Sequence, residues 1–335
     1  MPLNPTDRFP RTRLGQFPTA LHCAAPWETD AAFPLLLKRD DLSGFGLAGN
    51  KVRSLEYLIA DAVACESDVV VTGGAAGSNF IGACAHAAAV VGLDCEIEVA
   101  GEPPAVWPTP LLVAQTVGAV VRFTGLDRSL IDASITQREA ELISRGRRPY
   151  PVPRGGATAV GGLGFAQAAT ELHKQLTVNG TDPDRVIVVL PIGSGVSIAG
   201  FLAGSEFLGA RWRIIGVSVS RNVDQVRGVI ADLSARTSQL MEREAPSMAN
   251  LTIVDAVGGH DQELDVNGRL ARDQALRGTG VLLDPTYGVP SYQIISQITR
   301  EPDEIVVWWL TGGLPGAMES LAVRGNRGSV VVEDV

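Results

Sequence analysis

Three times along the chain an apolar run ends directly in a glycine turn that opens an Ala-rich segment: VVVTGGAAGSN (69–79), VIVVLPIGSGVSIAG (186–200) and IVVWWLTGGLPGA (305–317). A short β-branched run feeding a turn and then a helical stretch is the signature of a βαβ unit, and its repetition calls for a mostly parallel sheet covered by helices. Strands are expected at 35–38, 68–72, 95–99, 120–123, 185–190, 214–219 and 305–310. Helices are expected at 51–65, 79–91, 162–176, 196–208, 222–234 and 314–324. The runs 186–190 and 305–310 are apolar on both faces, as strands buried between two helix layers must be, so Trp308 and Trp309 belong to the core. A fourth glycine turn, PRGGATAVGG (153–162), precedes a helix without a clear strand. The Pro/Gly-rich stretches 101–110 and 147–157 are candidate crossings between two lobes.

Such turns matter because glycine lets backbone approach a ligand, and a helix N-terminus presents free N–H groups and the positive end of its dipole to an anion. In an open parallel sheet they gather at the carboxyl edge, where ligands bind. The best phosphate cradle is Gly193–Gly200, with the hydroxyls of Ser194 and Ser197 added. It lacks the Gly-Lys-Ser/Thr ending of a nucleotide loop. The next strand ends in Ser220-Arg221 where NAD would need an acidic residue; Arg221 leaves only a 2′-phosphorylated dinucleotide open.

Of 335 residues, 28 are Lys or Arg and 37 Asp or Glu, a net charge of -9 that opposes nucleic-acid backbones. No apolar stretch is long enough to span a membrane and the N-terminus has no apolar run, so a cytoplasmic protein is expected. The four cysteines lack CxxC spacing and read as reduced core residues, and the four histidines form no metal pattern. Only three lysines occur: Lys38, Lys51 and Lys174. A chain that uses Arg for ordinary positive charge draws attention to its lysines, because only Lys can shed its proton and attack a carbonyl. Lys38 lies within a strand and Lys174 on a polar helix face, both structural. Lys51 follows a glycine loop, with Asn50 as a helix N-cap, where the dipole lowers an amine's pKa. Its bland alternative is a solvated surface lysine.

A reactive amine, a phosphate cradle and glycine turns together suggest pyridoxal phosphate, which needs a lysine, a phosphate site and a partner for its ring nitrogen. On KRDD…GNKVRSLEYLIADA (38–62), YPVPRGGATAVGGLGFAQAATEL (150–172) and LLDPTYG (282–288), the chain resembles the fold-type II pyridoxal-phosphate enzymes of the 1-aminocyclopropane-1-carboxylate deaminase / D-cysteine desulfhydrase family. The resemblance implies a tryptophan synthase β-like fold with two open, mostly parallel sheets. It implies a large cofactor-binding domain from 1–50 and 155–335, a small domain at 51–154, and a homodimer acting on a small amino acid.

It also implies roles. Lys51 holds the cofactor and moves the substrate's Cα proton. Asn79 bonds the cofactor's phenolic oxygen. Gly193, Ser194, Gly195, Val196 and Ser197 hold the phosphate, and Thr311 meets the ring nitrogen. Ser78 and Tyr287 handle substrate and protons, and Phe80 and His260 complete the substrate shell, His260 standing where the family has a second tyrosine. The shell departs from the family pattern at Gly77, Phe80, Val196, Ser197, His260 and Gly288-Val289-Pro290. The deaminase branch needs a Glu after the tyrosine and the second tyrosine, so α,β-elimination, releasing keto acid and ammonia, is the expected reaction. Ring-opening deamination, a β-replacement synthase and a non-catalytic pyridoxal-phosphate binder are the alternatives.

Overall fold

The computed structural model of the chain describes residues 4–24, 35–257 and 264–325. Ten strands form two sheets. The larger has the order β1 (Leu21–Ala24), β2 (Leu35–Arg39), β10 (Ile305–Leu310), β7 (Val186–Ile192), β8 (Arg213–Ser218), β9 (Leu251–Asp255), and the smaller β5 (Val120–Phe123), β4 (Asp94–Val99), β3 (Val69–Gly74), β6 (Pro149–Val152). All pairings are parallel except β1 with β2. This is the expected fold-type II architecture.

Side-chain alternation along β7 and β10 builds both faces of the large sheet. Val188, Leu190, Ile192, Val307 and Trp309 face one core, filled by α5 (Ala159–Val178), α6 (Val196–Leu208) and α7 (Val223–Leu240). Ile187, Val189, Val306, Trp308 and Leu310 face another, filled by α8 (Val266–Thr279) and α9 (Gly288–Ile295). The small sheet is covered by α1 (Lys51–Ala64), α2 (Asn79–Val90) and α3 (Thr109–Thr116) on one side and α4 (Ile131–Ser144) on the other, and α10 (Leu314–Gly325) follows β10. The α5–α6 crossing is unusually close. A Cβ on Gly200 would lie 2.0 Å from the Gly162 carbonyl oxygen, so only glycine fits there.

Several expectations need correction. The stretch 101–110 stays within the small unit, running from β4 into α3, and is no crossing. Residues 149–152 form β6, so the fourth glycine turn does follow a strand; its prolines are tolerated because β6 is a sheet edge. Cys84 and Cys95 are buried, but Cys23 and Cys65 are exposed, one on the edge strand β1 and the other just past the end of α1. Trp308 and Trp309 are fully buried as expected.

Lys38 is structural for a definite reason. It lies buried on β2 beside Trp309 and ion-pairs with Glu171 of α5. Glu171 also accepts from Arg53 of α1, and Arg53 pairs with Asp40 at 2.6 Å. This buried quartet ties β2, α1 and α5 together directly behind residue 51. The guanidinium of Arg53 and the ammonium of Lys38 hold the Glu171 carboxyl at about 2, against the cost of its burial.

Candidate active site

The three glycine turns meet. The ends of β7 and β10 are neighbours in the large sheet, and the end of β3 faces them from the small one. Lys51, Asn79, Gly193, Ser194, Gly195, Ser197, Tyr287 and Thr311 line one narrow cleft. It opens into a cavity of about 620 Å³ that Lys51, Asn79, Gly193, Ser194 and Tyr287 also line, together with Ser78 and Phe80. That volume suits a small-molecule site.

Lys51 is positioned by its neighbours. The Asn50 N–H donates to the Thr311 carbonyl at 2.9 Å, fastening the start of α1 to the end of β10. Gly49 makes the approach possible: its φ is +55°, and a Cβ there would sit 2.3 Å from the Thr311 carbonyl oxygen. Asn50 makes no side-chain cap; its Nδ2 instead donates to Ser197 Oγ at 3.3 Å, linking α1 to the first turn of α6. The half-buried Lys51 amine lies 6.0 Å from the centre of the Tyr287 ring. Its pKa is lowered to about 8. Loss of water is the main cause, opposed by the nearby Asp284 carboxylate. The direction matches the sequence expectation, but desolvation rather than the helix dipole supplies it.

The 193–197 turn is built for an anion. Gly195 sits at φ +96° as the N-cap of α6, so the first N–H groups of that helix have no partner within it. Ser194 Oγ is buried and has no hydrogen-bond partner among the described residues. Gly193 is bare where a Cβ would come 2.9 Å from the Tyr287 hydroxyl, and Gly155 is bare where a Cβ would come 2.8 Å from Ser194. Val196 contributes backbone only, its side chain being buried in the core. An amine with a lowered pKa, an orphaned buried hydroxyl and a turn of free amides fit a phosphorylated aldehyde.

Phe80 is 1% exposed, packed with the small-sheet core over Gly156, and reaches the cavity with one edge. Ser78 is the N-cap of α2. His260 lies outside the described residues. Lys174 is exposed on α5.

Sequence reasoning passed over several residues. Asp284 is 4% exposed, and its carboxylate accepts the N–H groups of Thr286, Tyr287 and Gly288 at 3.0, 2.7 and 3.0 Å. It thereby shapes the turn that presents Tyr287. Burial raises its pKa to about 6, and burial also raises that of Tyr287. An Asp opening a Pro-containing turn before a helix was the available signal. Arg128 and Arg154 also line the cavity; Arg154 lies in the fourth glycine turn, which gave it no role, and no motif marked Arg128.

The profile of the family described as "Pyridoxal-phosphate dependent enzyme" matches residues 12–312. A "Putative 1-aminocyclopropane-1-carboxylate deaminase" of Pyrococcus abyssi is 31% identical over 92% of this chain and 93% of its own. A "D-cysteine desulfhydrase" of Klebsiella pneumoniae is 32% identical over 94% of this chain and 97% of its own. Among solved structures, an "ACC deaminase homologue" superposes with a TM-score of 0.82 at 26% identity, covering 95% of this chain and 98% of that one.

Proposed function

The chain belongs to the pyridoxal-phosphate dependent enzyme family, and on that premise we propose that it is an amino-acid lyase. It catalyses α,β-elimination on a small amino acid, in the manner of a D-cysteine desulfhydrase, and yields a keto acid and ammonia. One observation carries the reading: a lysine amine with a pKa of about 8 shares a cleft with the amides of 193–197.

Lys51 holds the cofactor and takes and returns the proton at the substrate's Cα; a base with a pKa near the working pH serves both directions. The backbone of Gly193, Ser194, Gly195, Val196 and Ser197 and the two serine hydroxyls hold the phosphate. Asn79 donates to the phenolic oxygen. The Thr311 hydroxyl would meet the ring nitrogen; being neutral, it would not hold that nitrogen protonated as a carboxylate does, so the ring would withdraw fewer electrons, which favours elimination over transamination. Ser78 and the first amides of α2 receive the substrate's α-carboxylate. Tyr287 carries a proton on the substrate side, Phe80 walls the pocket, and His260 is the remaining shell residue. Pyridoxal phosphate, when bound, supplies the electron sink that makes the Cα proton removable.

Ring-opening deamination is disfavoured because Gly288-Val289-Pro290 follows Tyr287 where that branch needs a Glu. The division into 1–50 with 155–335 and 51–154 belongs to the same reading: each group supplies its own sheet, and α1 packs against both α2 and α5. A homodimer in the cytoplasm is part of it too; four free thiols suit a reducing compartment.

The test is product analysis. The pyridoxal-phosphate-loaded protein is offered D- and L-amino acids bearing β-leaving groups, and separately 1-aminocyclopropane-1-carboxylate. Keto acid and ammonia from the first set, lost in Lys51→Ala, is the expected result. Release of 2-oxobutanoate from the cyclopropane, or turnover only with an added nucleophile, would replace elimination by ring opening or β-replacement.

A further inference from the structure

The cavity beyond Lys51 presents guanidinium groups that an amino acid with a neutral side chain would not use. Arg128 comes from the turn after β5, Arg154 from the turn after β6, and Arg221 from the end of β8, and all three line the cavity. Arg154 is already engaged. Its Nε and Nη2 donate to Asp132 at 2.9 and 2.8 Å, and its Nη1 donates to the Arg128 carbonyl at 2.7 Å, which holds the 128 turn in place. Arg221 donates from Nη1 to the carbonyls of Gly193 and Ser194 at 3.1 and 3.3 Å, so one edge of its guanidinium backs the phosphate turn. Among the described residues neither Arg128 nor Arg221 is ion-paired.

Among the described residues none of the cavity's acidic groups forms an ion pair with Arg128 or Arg221. Asp127 accepts from Ser129, Glu319 accepts from Thr109, and Asp284 is saturated by three backbone amides. Burial lowers the pKa of Arg221, the cations of Arg154 and Arg128 lower it further, and the Asp132 carboxylate opposes them, so the three guanidiniums feel one another. Both Arg128 and Arg221 also act on Tyr287, so the cluster lies within reach of the reacting region. Unpaired cations crowded together in a cavity wall are costly unless a ligand supplies the missing negative charge. Two guanidinium forks are the donor set best matched to an oxyanion.

We propose that Arg128 and Arg221 form a subsite for a second anionic group on the substrate, so that the enzyme takes an amino acid whose side chain ends in a carboxylate, sulfonate or phosphate. The inference rests on the amino-acid lyase reading, which gives the α-carboxylate to Ser78 and the α2 amides and leaves the arginines without a partner. It narrows the substrate class within that reading. The side-chain anion lies against Arg128 and Arg221 while Arg154, held by Asp132, braces the turn that presents Arg128.

The test uses protein loaded with pyridoxal phosphate, its visible absorption band first verified. Aspartate and asparagine, both enantiomers of each, are titrated calorimetrically and by the change in that band; they differ in charge and hardly in shape. Cysteate and O-phosphoserine form two further arms that rank sulfonate and phosphate against carboxylate. We expect the anionic compounds to bind about tenfold or more tightly than asparagine, and Arg128→Gln and Arg221→Gln each to bring the aspartate-to-asparagine ratio toward one. Pyridoxal-phosphate affinity and the unfolding midpoint are measured for each variant. An intact band with no preference for the anion overturns the subsite and leaves the lyase reading standing. So do equal losses for aspartate and asparagine, which would assign the arginines to the α-carboxylate, or a loss confined to cofactor affinity, which would assign them to the phosphate. A missing band removes the lyase reading and the subsite with it.

Discussion

With only three lysines, each in a different environment, the chain offers an internal competition for an aldehyde. Lys38 is buried and ion-paired, Lys174 is exposed, and Lys51 is half-buried on the cleft wall. At pH 7.5 an amine with a pKa of about 8 is about one quarter neutral, whereas an ordinary lysine amine is about 0.1% neutral, a ratio of about 200. Weaker basicity also lowers intrinsic nucleophilicity, by about tenfold over this range if amines follow the slope seen for thiols, leaving about twentyfold. The cofactor-free protein is exposed to limiting pyridoxal phosphate, reduced with borohydride to lock the aldehyde carbon onto whichever amine holds it, digested, and mapped between pH 6.5 and 9.5. Label accumulates on Lys51 about twentyfold faster than on Lys174, and anion binding at 193–197 adds to the difference. The rate at Lys51 rises about tenfold per pH unit below pH 8 and levels off above it. Equal labelling of Lys174, or a rate at Lys51 that still climbs steeply at pH 9.5, would refute both the burial argument and the assignment of the amine.

Three other perturbations probe the supports of that amine. Asp284→Asn removes the carboxylate that favours the Lys51 ammonium, so the flank of the same labelling profile moves below pH 8; an unmoved or higher flank would show that Asp284 is not coupled to the amine. Glu171, ordinarily near 4.5, is held at about 2 in the fold, which corresponds to about 3 kcal/mol of stability. A depressed carboxylate contributes fully above its unfolded pKa and loses that contribution as pH falls toward 2. Glu171→Gln therefore costs about 3 kcal/mol in urea unfolding at pH 7, and the gap to the parent narrows by about 2 kcal/mol at pH 3; a gap independent of pH would count against the ion network. Gly164→Ala puts a Cβ 2.1 Å from the Arg53 carbonyl oxygen, where α5 meets α1. The backbone must yield, at about 1–3 kcal/mol, and because α1 carries Lys51 we expect pyridoxal-phosphate affinity to fall along with the unfolding midpoint.

What could be read from the sequence follows from where each element lies. Strands β5 and β10 and helix α6 were expected at their observed limits, and β2, β3, β4, β7 and β8 within two residues; burial on both faces gives β3, β7 and β10 apolar runs, whereas β4 (DCEIEV) buries Glu96 and Glu98 against Arg138 and Arg122. The three strands that escaped notice, β1, β6 and β9, are all sheet edges. Each bonds on one side only, so it can be short like LHCA or proline-bearing like PYPV; β5, the remaining edge, was legible because VVRF is β-branched. Helix α5 starts at Ala159 rather than near 162 because Thr158 accepts the Gly161 N–H and caps it; the run of glycines hid that start.

The site divides along the same line. Lys51, Asn79, Gly193–Ser197 and Thr311 each lie where a strand or loop hands over to a helix, and that handover has a local signature that can be read one segment at a time. Asp284 has one as well, in a turn whose chemistry is local. Arg128 has none, and the patterns that contain Arg154 and Arg221, a glycine turn and a strand end, assign neither a substrate role. The three come from turns after the two edge strands of the small sheet and from the end of a strand in the large one, and no local pattern tells which ligand they meet. Only the convergence of three chain segments on one cavity gives them meaning. The residues that hold a cofactor recur as patterns because the cofactor is the same each time, whereas those that select a substrate are defined by what the fold brings together. The substrate of such a chain is therefore to be sought in the groups the assembled cavity presents, and here two of them are guanidiniums without an ion-pair partner among the described residues.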